Sequence, residues 1–330
     1  MTSRRAFLSA ALTLASARLA AQEKPKPAVR VYRIGLLEPV SLQANGANMQ
    51  QFLKGLKDLG YTEGANLSIE YLSADGRSER FAKLAGDLVR HNVAVIITSG
   101  TPATLAAKHA SAGRLPVVTA TVVDPVETKL VDTLERPGGN VTGVAIETTD
   151  LEAKRLDLLR AIAPGRSRIA VIIDLGNPAA VESWKAMQPA AKAQRVELEL
   201  FDARKPEDVV RALAVAVERK AGAATIRSGA ITPGNRQAIV EAAAQHKLPA
   251  MYASRQFVEA GGLVSYGLNT PQMYYRAAAF VDKILKGAKP ADLPMERPTR
   301  FELVFNRLAA HRLGLVIPPD LLLKSDQVVG

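Results

Sequence analysis

The chain has 330 residues, 48% of them hydrophobic, with 43 Lys and Arg against 32 Asp and Glu. That apolar content excludes a disordered chain, and the length suits two domains of about 100–150 residues each. The absence of Cys excludes a disulfide scaffold, thiol catalysis, Cys-ligated zinc, iron–sulfur clusters and lipid attachment at a cysteine. The four histidines, His91, His109, His246 and His311, stand far apart without paired ligand spacing, so no metal and no cofactor is expected.

Residues 1–21 read as a cleavable export signal. Met1–Arg5 is short and basic, Ala6–Ala17 is apolar and small, and Leu19-Ala20-Ala21 ends in residues a signal peptidase accepts. An apolar run of about a dozen residues is too short to span a bilayer, which takes about 20. Ser3-Arg4-Arg5-Ala6-Phe7-Leu8 is similar to the twin-arginine motif, which implies export of a folded protein; an ordinary Sec signal holding two arginines is the alternative, and either route leads to a bacterial periplasm. Three of the 43 cationic residues and none of the acidic ones lie in this leader, so the mature chain keeps about eight excess positive charges. They form no cluster and are not interleaved with aromatics, which argues against a nucleic-acid partner.

Residues 22–30 form a polar, Pro-containing tether. From Val31, short apolar runs alternate with helical patterns, the signature of a parallel sheet covered on both faces. Strands are expected at Tyr32–Leu37, Asn66–Tyr71, Val93–Thr98 and Val117–Thr121, and helices near Ala47–Leu59, Ser78–Arg90 and Pro102–Ala112. Pro137-Gly138-Gly139-Asn140 through Gly143 reads as a crossing segment with hinge character. The pattern then restarts. Arg168–Ile173, Val196–Phe201 and Ala223–Arg227 match the first three strands. Ser228-Gly229 and Thr232-Pro233 repeat Ser99-Gly100 and Thr101-Pro102, and Leu248-Pro249 repeats Leu115-Pro116. The intervals agree: 81 positions from Ile34 to Leu115, 79 from Ile169 to Leu248. Four landmarks in one order make two homologous lobes. A strand at Gly262–Leu268, a helix at Pro271–Lys286, a strand at Arg300–Asn306 and a short helix to Gly314 follow. The expected organisation is 31–143 plus about 270–292 for the N-terminal lobe, and 144–269 plus about 296–330 for the C-terminal lobe.

Two similar Rossmann-like lobes, each a doubly wound parallel sheet, behind an export signal resemble a type I periplasmic binding protein of the α/β class. Ser99-Gly100-Thr101-Pro102-Ala103, Val123-Asp124-Pro125-Val126, Arg136-Pro137-Gly138-Gly139-Asn140-Val141-Thr142-Gly143, Gly261–Gly267 and Pro298–Val304 resemble the ABC transporter substrate-binding protein family, related to tryptophan/tyrosine-type importer receptors. The resemblance spans essentially the whole mature chain. It implies capture of a small solute, an amino acid or small carboxylate, for a membrane permease with its ATPase, by a monomer.

In such a fold ligands sit beyond the carboxyl ends of the strands, in a cleft between the lobes. Ser99-Gly100-Thr101 combines hydroxyls, a permissive glycine and a helix N-terminus suited to a carboxylate; helix capping alone would also explain it. Ser228-Gly229 is its counterpart. Asp124 follows a strand, where it could meet a ligand ammonium or cap a helix. Glu38, Asp174 and Asn177 end the first strand of each lobe, with turn chemistry as the alternative. Tyr252, Phe257 and Tyr266 offer a stacking surface or core packing.

No GxSxG, no Cys and no His beside a serine supports hydrolysis, so an enzyme is not expected. A paired carboxylate formed in space stays open, as does a sensor presenting its closed form to a membrane kinase. A DNA-binding regulator would need a helix pair where this chain has its leader.

Overall fold

The structure, a computed structural model, describes residues 30–147, 149–227, 235–298 and 300–330. The expected export signal and Ser228-Gly229 lie outside the described residues.

Five strands, β1 (Tyr32–Glu38), β2 (Leu67–Ser73), β3 (Val95–Ser99), β4 (Val117–Val123) and β5 (Val141–Ile146), form a parallel sheet in the order β2-β1-β3-β4-β5. Seven more, β6 (Arg168–Ile173), β7 (Glu197–Asp202), β8 (Ala223–Ile226), β9 (Ala250–Tyr252), β10 (Val264–Gly267), β11 (Glu302–Asn306) and β12 (Gln327–Val329), form the second. Its order is β12-β11-β10-β9-β8-β6-β7, with β10 and β11 antiparallel. The runs β2-β1-β3-β4-β5 and β7-β6-β8-β9-β10 have one winding order, so the sequence repeat is a repeat of topology.

The helices are α1 (Gly46–Asp58), α2 (Phe81–Arg90), α3 (Thr101–Ser111), α4 (Thr149–Ile162), α5 (Pro178–Gln194), α6 (Pro206–Glu218), α7 (Arg236–Gln245), α8 (Arg255–Glu259), α9 (Thr270–Leu285), α10 (Arg307–Arg312) and α11 (Pro319–Leu323). Central strands read as unbroken apolar runs because both faces are buried. Ile34, Leu36, Val95 and Ile97 pack under α1 and α9, while Leu37 and Ile96 pack under α2 and α3. In the second lobe α6 and α7 cover one face and α4 and α5 the other. Helix starts follow local rules. Asn177 and Asn269 cap α5 and α9 with their side-chain oxygens, each helix having Pro in its first turn.

One expectation is corrected. Val141–Ile146 is a strand of the first sheet, so Gly138-Gly139 lies in the β4–β5 connection inside lobe one and the lobe boundary falls after Ile146, not Gly143. The glycines mimicked a hinge because a turn and a hinge ask for the same residue. The chain passes to lobe two after Ile146, returns through Leu268-Asn269 to α9, and crosses a third time between Glu296 and β11. Glu296 sits beside Val144 in a parallel bridge, and exposed Arg297 meets Glu147 at 3.7 Å, so the first and third crossings run together.

Candidate functional site

The carboxyl ends of both sheets open on one cavity of about 180 Å³. Lobe one contributes Glu38 from the end of β1, Asn45 and Asn48 from the start of α1, and Ser99, Gly100 and Thr101 from the β3–α3 turn. Lobe two contributes Arg155 of α4, Asn177 before α5, Arg227 after β8, and Ser254, Gln256 and Phe257 around α8. Phe81, Phe257, Val123, Ile146, Leu151 and Leu268 supply an apolar lining.

On lobe one, Ser99 and Thr121 share a hydrogen bond of 3.2 Å between their hydroxyls. The Thr101 hydroxyl donates to the Val123 carbonyl at 3.3 Å, which fixes the α3 turn against β4. Gly100, at φ +87° and ψ 153°, opens α3, whose first amides face the cavity end of the sheet. Glu38 is fully buried, and Tyr274 of α9 donates its hydroxyl to Glu38 Oε2 at 2.6 Å. Burial pushes the Glu38 carboxyl up to about 8, against smaller opposing pulls from Tyr274 and Asn45.

Lobe two presents the opposite charge. Glu152 is fully buried and accepts Arg155 Nη1 at 3.0 Å, and Arg227 touches the same oxygen. Arg155 Nε in turn donates to the Tyr266 carbonyl at 2.7 Å. Burial pushes the Glu152 carboxyl up, against the opposing pull of the Arg227 guanidinium in contact with it. Two guanidinium groups on one carboxylate leave a positive charge uncompensated on this wall among the described residues.

Of the residues singled out in the sequence, Glu38, Ser99, Gly100, Thr101, Asn177 and Phe257 come together at the cavity. Asn177 also caps α5, its Oδ1 accepting from Ala179 at 3.1 Å. Four others do not line it. Asp174 accepts the Gly176 amide at 2.8 Å in the turn after β6. Tyr252 is 1% exposed and stacks on Phe257 inside the second core, 4.9 Å between ring centres. The Tyr266 ring lies on Phe301 and serves the site only through its carbonyl. Asp124 sits at φ +43° as a turn residue whose carbonyl accepts the Thr128 hydroxyl at 2.8 Å. Asn45, Asn48, Arg155, Arg227 and Tyr274 were missed. Glu152 and Arg155 at (i, i+3) read like a solvated surface pair. Arg227 offered a signal: a cation closing an apolar strand at the end where ligands sit.

Two doubly wound lobes with a shared, charged cleft define a type I periplasmic binding protein. The chain belongs to the family described as ABC transporter substrate binding protein, whose model matches residues 33–329, and is a solute receptor for an ABC importer. It is 25% identical over 275 residues to a tyrosine-binding protein of Clostridioides difficile strain R20291, covering 83% of this chain and 78% of that one. A conserved domain protein from Vibrio cholerae O1 biovar El Tor matches at a TM-score of 0.84 and 29% identity, over 91% of this chain and all of that one. A Streptococcus pneumoniae ABC domain in complex with L-Trp matches at 0.83 and 24% over the same shares.

Proposed function

We propose that the chain is an extracytoplasmic receptor that captures a free amino acid with an apolar side chain and hands it unaltered, as a monomer, to a membrane permease. One observation carries the reading: the uncompensated positive charge of Arg155 and Arg227 stands across the cavity from the α3 N-terminus, so a carboxylate between them would be held from both lobes. The apolar lining suits the rest of such a solute. The relatives named for tyrosine and L-Trp support the same class. Arg4-Arg5 and Ala20-Ala21 support export to the periplasm with cleavage near Ala21.

The test uses protein recovered from the periplasm, with an N-terminus expected near Gln22, screened by thermal shift against the twenty L-amino acids, sugars and nucleosides. An amino acid at a hundred times its Kd adds about 2.7 kcal/mol of stability, a clear rise in Tm. Mass spectrometry should return it unchanged. A shift with sugars or nucleosides alone would overturn the reading.

A further inference from the structure

The carboxylate site leaves one group of cavity residues unused. Glu38 is 0% exposed, and while its Oε2 takes the Tyr274 hydroxyl, its Oε1 has no partner. Asn45 stands at the N-cap of α1, where its oxygen would ordinarily accept a first-turn amide. It makes no such cap. Instead its Oδ1 accepts from Asn48 Nδ2 at 2.7 Å, which leaves Asn48 Oδ1 and Asn45 Nδ2 buried and unpartnered. All four residues line the cavity. Buried polar atoms are normally satisfied, and here three neighbouring residues leave theirs open toward one cavity. Two of the open atoms, Glu38 Oε1 and Asn48 Oδ1, are acceptors, and the third, Asn45 Nδ2, is a single donor beside Glu38; two acceptors outnumber one donor, so the missing partner is a compact donor. No metal is indicated: no group of three His, Asp or Glu is placed to hold one among the described residues.

We propose that Glu38 and Asn48, positioned by Tyr274 and Asn45, are the seat of a primary ammonium group on the solute, and that filling the seat releases one proton from Glu38. The proposal rests on the amino-acid reading above and adds a recognition element to it. The empty seat holds a neutral carboxyl; the solute arrives as R–NH3+; the Glu38 O–H bond breaks and its proton leaves to water. The bound state is a carboxylate paired with an ammonium group.

The surroundings of Glu38 support a neutral carboxyl in the empty protein. Tyr274 of α9, which donates to it, and the neighbouring Asn45 amide are the groups that pull against burial, and no cation among the described residues does. Tyr71 of β2, which donates to the Val40 carbonyl at 2.7 Å, is held protonated above all by burial and brings no charge to Glu38. Ser99 of β3 is uncharged. Asp75, beyond Tyr71, is neutralised by Arg80 at 2.5 Å. Arg155 and Arg227 stand on the opposite wall in contact with Glu152, and neither is among the groups that shift Glu38. With the carboxyl pushed up to about 8, the empty seat is protonated below that pH and the filled seat is not. Affinity should therefore rise with pH, by about tenfold per unit, and level off above about 8.

The experiment is calorimetry with the tightest-binding of the twenty L-amino acids and its des-amino carboxylic acid, in phosphate and in Tris at several pH values. Close to one proton should be released per amino acid at pH 6.5, the number falling toward pH 9. The des-amino acid should bind at least a hundredfold more weakly and release none. Glu38→Gln should bind the amino acid weakly with a flat pH profile, while Tyr274→Phe, which keeps the carboxyl, should keep proton release. Amino-acid binding with no proton exchanged, or equal affinity for the des-amino acid, would overturn the seat and leave the amino-acid reading standing. Binding of no amino acid would overturn both. The wild-type proton count decides the matter even where Glu38→Gln fails to fold.

Discussion

Gly100 has backbone angles of φ +87° and ψ 153°, a region that only glycine enters without strain. A Cβ there would nevertheless meet nothing nearer than Pro102 Cδ at 3.9 Å. The sequence suggests that a bulky residue at this position would obstruct a ligand while the fold survives; the structure moves the penalty from the ligand to the backbone. Gly100→Ala should lower stability by about 1–3 kcal/mol through conformational strain, read as an earlier midpoint in urea unfolding. Unchanged stability would mean the turn relaxes and the steric argument returns. Thr101 shows the same division of labour, since its hydroxyl already serves Val123. Glu38 was legible as a cavity residue because an acidic residue closes an apolar strand. Arg155 was not, because a helical Glu–Arg spacing looks alike whether it faces water or a cleft. Tyr274 was hidden for another reason: it reaches Glu38 across 236 positions of sequence, through a helix that belongs to the other end of the chain.

That helix, α9, is the element on which lobe one's wall depends. It lies against α1, and the two are tightly packed at Gly55, where a Cβ would come within 2.8 Å of the Tyr275 carbonyl and 2.9 Å of Ala278 Cβ. The backbone angles of Gly55 are ordinary for a helix, so its need is for space alone. Gly55→Leu should push α9 outward, drawing the Tyr274 hydroxyl from Glu38 and opening the core formed by Phe52, Leu56, Ala277 and Val281. Overpacking of this kind costs about 1–3 kcal/mol. The expected result is a lower Tm together with a weaker response to the amino acid in the same thermal-shift assay. A variant that loses stability but keeps full affinity would show that α9 supports the fold without shaping the seat. At this scale the sequence was most informative: strands and helices follow hydrophobic period and turn residues that act locally. β5 escaped because Pro137-Gly138-Gly139-Asn140 announces a break, while the pairing that makes Val141–Ile146 a strand comes from β4 across the sheet.

The whole molecule is two lobes with opposite demands on one solute. Lobe two offers the guanidinium groups of Arg155 and Arg227, and lobe one a buried carboxyl and a helix N-terminus, on one cavity. A solute bridging the walls favours the arrangement in which both touch it, so binding should draw the lobes together. Motion of that kind must be absorbed where the chain crosses: after Ile146, at Leu268-Asn269, and between Glu296 and Glu302. The last two are tied by Asn269 Nδ2 donating to Glu302 Oε1 at 2.8 Å. Gly138 and Gly139 stand outside these crossings, and a Cβ at Gly139 would meet nothing within 4 Å, at a φ that needs no glycine. Small-angle scattering should show a smaller radius of gyration with the bound amino acid in the wild type, and an equal decrease in Gly139→Ala. A variant that folds and binds but no longer contracts would return the hinge to the β4–β5 connection.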